Sequence, residues 1–223
     1  NEVCVFLAEG FEEIEGLTVV DLLRRAGIET RTVSIMGQEE IQGAHGIIVK
    51  ADSLFENTDF SEVKMLVLPG GMPGTIHLKE HKGLEELILK HNEEKKYLAA
   101  ICAAPTVFGG MGILKGKILR IPPSPGLKIP HMGWNSLHLQ NSGRLFKDIP
   151  ENTYVYFVHS YYLQAEEEEI VKATTQYSTC IHASVEKGNV FACQFHPEKS
   201  SRWGLKILEN FAALEAGTGK EEA

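Results

Sequence analysis

Tyr97-Leu98-Ala99-Ala100-Ile101-Cys102-Ala103-Ala104-Pro105 is the stretch that decides the fold. Residues 97–101 form a short apolar run of the kind that makes a buried strand, and Cys102 follows without a spacer. Pro105 suits the first turn of a helix, where its missing N–H costs nothing. A nucleophile between strand and helix projects from the sheet edge, and so strained a turn tolerates only small neighbours. Ala100 and Ala104 stand two residues to either side of the cysteine. The start of a helix is expected to favour the thiolate and lower the thiol pKa. A buried structural cysteine is the alternative. The small flanking residues, with the glycine loop described below, favour a nucleophile.

Outward from this elbow, strands and helices alternate. Residues 3–8 form an unbroken apolar run, as in a strand buried on both faces. A helix is expected over 12–26, stopped by Gly27, then a strand over 30–35. Residues 41–54 read as a small hairpin with Gly43 and Gly46 in its turn. A strand over 65–68 and a helix over 74–91 precede the elbow strand. After about Gly112 the style changes to a Pro-rich stretch over 121–130. Strands at 155–162 and 189–195 follow, with hairpin connections between, and a last helix over 200–214. Alternation of this kind predicts an α/β, flavodoxin-like, doubly wound and mostly parallel sheet with helices on both faces. No flexible linker interrupts the chain. Residues 1–216 are therefore expected to form one domain, and the polar tail 217–223 to be disordered.

Composition narrows the function classes. In 223 residues, 43% are hydrophobic and 8% aromatic, which suits a globular protein. No apolar run approaches the roughly 20 residues of a membrane span. The net charge is −8 with no basic stripe, so a nucleic-acid partner is not expected. The run from Glu166 to Glu169 reads as a solvated turn or helix start. The N-terminal residues lack the features of a signal peptide, which suggests a cytoplasmic protein. Cys4, Cys102, Cys180 and Cys193 form no C-x-x-C, so free thiols are expected, with Cys180 and Cys193 in the core. His77 and His81, at i and i+4, lack a third ligand and read as an exposed surface pair. No metal or cofactor is expected.

Three further segments bear on chemistry. Pro69-Gly70-Gly71-Met72-Pro73-Gly74 closes the neighbouring strand; consecutive glycines let N–H groups of Gly70 and Gly71 converge on an oxyanion beside Cys102, unless the loop is a plain turn. Glu15 lies in register with Val19, Leu22, Leu23 and Ala26, on the apolar face of its helix. A carboxylate there needs a partner or a proton. Cys102 is a candidate partner; placement at an exposed end of the stripe is the alternative. Gln194-Phe195-His196-Pro197-Glu198 offers a histidine to take the thiol proton and a carboxylate to orient it, a Cys-His-Glu set.

Residues 3–117 resemble the ThiJ/PfpI family. The matching segments are Leu7-Ala8-Glu9-Gly10-Phe11-Glu12-Glu13-Ile14-Glu15, Leu68-Pro69-Gly70-Gly71 and Ala99-Ala100-Ile101-Cys102-Ala103-Ala104-Pro105. That resemblance implies a hydrogen bond from Glu15 to a reactive Cys102, and deglycase-like, chaperone or redox-responsive activity. Residues 113–214 resemble instead the glutaminase subunit of imidazole glycerol phosphate synthase, a class I glutamine amidotransferase. Here the matching runs are Lys128-Ile129-Pro130-His131-Met132-Gly133-Trp134-Asn135, Tyr156-Phe157-Val158-His159-Ser160-Tyr161 and Phe195-His196-Pro197-Glu198-Lys199-Ser200-Ser201. This second resemblance implies His196 as the base and Glu198 as its orienting acid. It also implies a glutamine pocket bordered by His159, Ser160 and Tyr161; Ala103, next to the cysteine, is a further oxyanion or substrate-binding candidate. Pro130, His131, Met132, Gly133, Trp134, Asn135 and Lys199 would then face the cyclase subunit.

Two families in one chain imply a hybrid of engineered origin. Residues 1–112 follow one family and 113–216 the other, with a crossover between Gly112 and Lys117. The implied activity is cysteine-dependent glutamine amide hydrolysis. It should be weak or absent, because Ala100, Ala104 and Pro105-Thr106 replace the amidotransferase pattern Gly-x-Cys-x-Gly. The alternatives are a ThiJ/PfpI-like hydrolase or redox-sensitive protein using Cys102 and Glu15 on a reactive carbonyl or adduct, and an inactive fold recombinant. Either a monomer or a homodimer suits these expectations.

Overall fold

Strand runs with no polar interruption have to be covered on both sides, and the structure covers them. The computed structural model describes residues 2–141 and 143–216, so the expected tail 217–223 lies outside the described residues. Strand β1 (Glu2–Leu7) is buried along its whole length. It is followed by α1 (Glu13–Arg25), β2 (Glu29–Ser34), the hairpin β3 (Glu40–Gln42) with β4 (Ile48–Lys50), β5 (Ser53–Leu54) and β6 (Val63–Leu68). Next come α2 (Gly74–Glu80), α3 (Lys82–Glu93), the elbow strand β7 (Tyr97–Ile101) and α4 (Pro105–Gly110). The later part runs β8 (Gly116–Arg120), β9 (His131–Ser136), β10 (His138–Leu139), β11 (Tyr154–His159), β12 (Tyr161–Ala165), β13 (Val171–Tyr177), β14 (Thr179–Lys187), β15 (Val190–Cys193) and α5 (Ser201–Ala216).

Nine strands make the central sheet, in the order β10-β13-β14-β15-β7-β6-β1-β2-β5. Pairing is parallel from β15 through β7, β6, β1 and β2 to β5. It is antiparallel across β10, β13, β14 and β15. The sheet is thus α/β, mostly parallel and flavodoxin-like, with an antiparallel flank built by the later part of the chain. The seam between the two parts is the parallel pair β15–β7, with Cys193 opposite Ile101.

Alternate residues of the central strands face opposite sides. Val3, Val5, Leu7, Val67, Ala99, Ile101 and Phe191 join one buried cluster with Val19 and Leu23 of α1 and Ile207 and Phe211 of α5. Cys4, Phe6, Leu66, Leu98, Ala100 and Ala192 join the other with Leu78, Leu84, Ile88 and Phe108. Both clusters draw on both parts of the chain. Among the described residues, no helix is long and apolar enough to cross a membrane.

The structure corrects several sequence expectations. The helix expected over 74–91 breaks at His81, whose backbone is extended (ψ 103°) and whose Nδ1 accepts from the Leu84 N–H at 3.0 Å, capping α3. The strand expected over 155–162 divides at Ser160. β11 pairs with β9 and β12 with β8, as two separate ribbons. The expected hairpin between is β13 with β14. Cys180 is exposed, not in the core, whereas Cys193 is buried.

Candidate active site

The parallel strands β1, β6, β7 and β15 end at the same edge of the sheet, where ligand sites of doubly wound folds gather. Cys102 leaves β7 with φ 57°, a left-handed backbone that a non-glycine residue adopts only under constraint. The constraint is visible. The Cys102 N–H donates to the Cys193 carbonyl at 3.0 Å, and the Gln194 side-chain amide donates to the Cys102 carbonyl at 3.4 Å. Ala104 N–H donates to Ile101 O at 3.0 Å, and Pro105 opens α4 as read from the sequence. The elbow is therefore clamped by the strand that the later part of the chain supplies.

Glu15 lies on the inner face of α1, 1% exposed. Its Oε2 accepts from the Gly70 N–H at 2.6 Å, and one of its oxygens lies within 4.8 Å of the Cys102 Sγ. A Cβ at position 70 would fall 2.6 Å from that Oε2 and 3.1 Å from the Ala103 nitrogen, so glycine is what lets these groups converge. Gly71 (φ 96°) packs against the backbone of Phe11 and Glu12, where any side chain would collide. The oxyanion expectation is corrected at Gly70, whose N–H is already engaged by Glu15.

His196 is 2% exposed and follows β15. Its Nδ1 lies 2.8 Å from Glu198 Oε1 and 3.3 Å from Glu15 Oε1, so one ring nitrogen faces two carboxylates. Nδ1 therefore donates to the carboxylates, and Nε2 is the nitrogen left free to take a proton. That Nε2 is buried without a hydrogen-bond partner. Cys102 Sγ, a Glu15 oxygen and a His196 ring nitrogen all lie within 4.8 Å of one another.

Electrostatics here oppose one sequence expectation. Burial, then the Glu15 carboxylate, pushes the Cys102 thiol well above its usual value, whereas the helix start was expected to lower it. Burial also raises Glu15, to about 7, against the pull of His196. Two acids in one pocket resist holding two negative charges, so near neutral pH the thiol keeps its proton. The other core thiols rise too, Cys4 to about 12 and Cys193 further, through burial.

On the outer side, Cys102 and Ala103 open into a cleft of about 550 Å³, bordered also by Met72, His159, Ser160 and Tyr161. His159 Nδ1 donates to the Tyr161 carbonyl at 2.9 Å, so its Nε2 accepts from His131 Nδ1 at 3.0 Å. His131 is buried and stacked on Tyr177, with ring centroids 3.8 Å apart. It is thus corrected from a partner-facing residue to an internal one, missed because its sequence neighbours Met132 and Trp134 are exposed, at 62% and 52%. Pro130 is exposed too, Gly133 and Asn135 are half-buried, and Lys199 lies 3.9 Å from Glu12.

A flavodoxin-like sheet with a constrained cysteine elbow, a buried carboxylate and a His-x-Glu turn defines the class to which the comparisons also point. A profile of the DJ-1/PfpI family matches residues 1–124. Subunit HisH of imidazole glycerol phosphate synthase from Desulfitobacterium hafniense is 41% identical over 161 residues, covering 67% of this chain and 75% of that one. The HisH subunit of Aquifex aeolicus is 39% identical over 163 residues, covering 68% and 78%. In fold, the chain is similar to PurLQS from Thermotoga maritima (TM-score 0.70, 20% identity, 96% and 98% covered). It is also similar to a DJ-1 superfamily protein from Salmonella typhimurium (TM-score 0.60, 24% identity, 97% and 90% covered). The chain belongs to the DJ-1/PfpI family and, equally, to the HisH family of class I glutamine amidotransferase-like proteins.

Proposed function

We propose that the protein is a weak cysteine-dependent amidohydrolase acting on glutamine, with Cys102 as nucleophile, His196 as base and Glu198 as its orienting acid. The observation that carries this reading is the 2.8 Å contact of Glu198 with His196 Nδ1, which leaves Nε2 as the free nitrogen of a ring that has one nitrogen within 4.8 Å of Cys102 Sγ. His196 takes the thiol proton as Cys102 attacks the side-chain amide carbonyl, and returns it to the departing ammonia. Water then releases the acyl group by the same route. The oxyanion has the Ala103 N–H but not the Gly70 N–H, and losing one such donor costs roughly 10²–10³ in rate. Weak turnover follows from that loss.

The exposed Pro130, Met132 and Trp134, together with Lys199, would form the docking face for a cyclase subunit. The test is ammonia release from saturating glutamine, with and without that subunit. Slow release abolished by Cys102→Ala supports the reading. No release with the partner present sinks it.

A second reading is favoured by the closeness of Glu15 to Cys102, within 4.8 Å: a redox-sensitive cysteine of the DJ-1/PfpI kind, acting without His196. It predicts that mild peroxide oxidises Cys102 ahead of the exposed Cys180, read by peptide mass.

A further inference from the structure

Buried around His196 is an excess of acid. Glu15, Glu198 and the Cys102 thiol surround a single imidazole, and the side chains of Glu15, His196 and Glu198 are 1%, 2% and 3% exposed. Among the described residues no lysine or arginine pairs with Glu15 or Glu198; Lys199 reaches Glu12, at 3.9 Å. Two carboxylates and a thiolate cannot all ionise there without a countercharge. What they lack is a cation.

The donor types suit a borderline-soft divalent metal: one thiolate, one imidazole and one carboxylate. Tetrahedral zinc separates such donor atoms by roughly 3.3–3.6 Å, as its bond lengths dictate. Cys102 Sγ, a Glu15 oxygen and a His196 ring nitrogen lie within 4.8 Å of one another, so about 1 Å of side-chain adjustment suffices. A second observation points the same way. Glu198 at 2.8 Å and Glu15 at 3.3 Å both face Nδ1 of His196, so Glu198 can orient the ring while Glu15 turns to a metal, and Nε2 is buried with no partner. The fourth position opens to the cleft that Cys102 lines.

We propose that Glu15, Cys102 and His196 form a Zn²⁺ site that silences the cysteine. Its ligands come from both parts of the chain: Glu15 and Cys102 from the DJ-1/PfpI-like part, His196 from the later part. The metal replaces the thiol proton, which leaves to solvent, and ties up both nucleophile and base. The inference stands apart from the glutamine reading, because binding is measured without turnover.

The experiment is titration of the reduced full chain with Co²⁺ and then Zn²⁺. One equivalent of Co²⁺ should give the thiolate-to-metal charge-transfer band in the near ultraviolet, bleached by Zn²⁺. Cys102→Ser should abolish the band, and Glu15→Gln and His196→Gln should each weaken binding at least tenfold. His45→Ala, in the separate Glu12–Glu13–His45 cluster, should leave it unchanged. A band that survives Cys102→Ser, binding lost with His45→Ala, or no binding below millimolar metal would each overturn the site. Circular dichroism of each variant separates lost ligands from lost fold. Ammonia release, assayed with a chelator present, reports independently on the proposed amidohydrolase.

Discussion

Oε1 of Glu15 stands 3.3 Å from Nδ1 of His196, with both side chains sealed from solvent. One comes from the first helix and the other from the turn before the last. Each resemblance read from the sequence supplies one of them, and the shared sheet brings them together. Glu15 thereby competes with Glu198 for the imidazole and holds the Gly70 N–H.

Thiol reactivity tests this competition. In metal-free buffer at pH 7, Glu15→Gln should raise the alkylation rate of Cys102 several-fold, since removing the carboxylate's charge increases the thiolate fraction. Iodoacetamide labelling of the Cys102 peptide, followed by mass spectrometry, reads it. Slower alkylation would mean that a protonated Glu15 stabilises the thiolate instead.

Glu15→Ala should also increase glutamine hydrolysis, by returning the Gly70 N–H to the oxyanion. A gain of about tenfold or more in kcat, with KM little changed, is the expected signature, because the donor acts mainly in the transition state. Equal loss of both parameters would show that Glu15 serves the reaction.

Gly70→Ala forces a methyl group to 2.6 Å from Glu15 Oε2 and 3.1 Å from the Ala103 nitrogen. Overpacking of this kind costs about 1–3 kcal/mol. Urea denaturation should show that loss, and Cys102 alkylation should change with it because the elbow must shift.

Acid should destabilise the fold. Burial lowers His91, His131 and His159 each to about 4. The unfolded chain therefore binds more protons, and stability falls as pH drops from about 6.5 towards 4, by up to about 3 kcal/mol per histidine. Glu15 acts oppositely: raised to about 7, it contributes stability below 4.5 that is lost as pH climbs through 7. Three histidines outweigh one carboxyl, so the urea midpoint should be lower at pH 5 than at pH 7.5. His91 has neither ring nitrogen partnered, and His91→Leu should flatten that dependence.

Unfolding should be a single transition, because both apolar clusters mix residues of the two parts. Phe195→Ala, removing a fully buried ring against Phe157 and Phe146, should cost about 3–5 kcal/mol and lower the whole transition. Two transitions would mean that the parts fold separately.

Local chemistry made much of this legible beforehand. The unbroken apolar runs announced buried parallel strands, small residues around Cys102 announced the elbow, and the stripe of Val19 and Leu23 made an inner face one of two places for Glu15. The His81 break was hidden because a side-chain cap overrides a good helical pattern. The burial of His131 was hidden because β9 turns it inward onto Tyr177 while its neighbours face out.

By itself, then, the sequence determined most of the strands and helices up to the elbow, and which residue types stand at the strand ends. Those follow from periodicity and from turn residues within a few positions. Only the tertiary structure decided that Glu15 holds Gly70, that His196 meets two carboxylates, and that Cys102 is pushed up instead of down. Each of these depends on which groups the β1, β6, β7 and β15 registers bring within hydrogen-bond reach, and on how completely packing excludes the water that would otherwise solvate their charge.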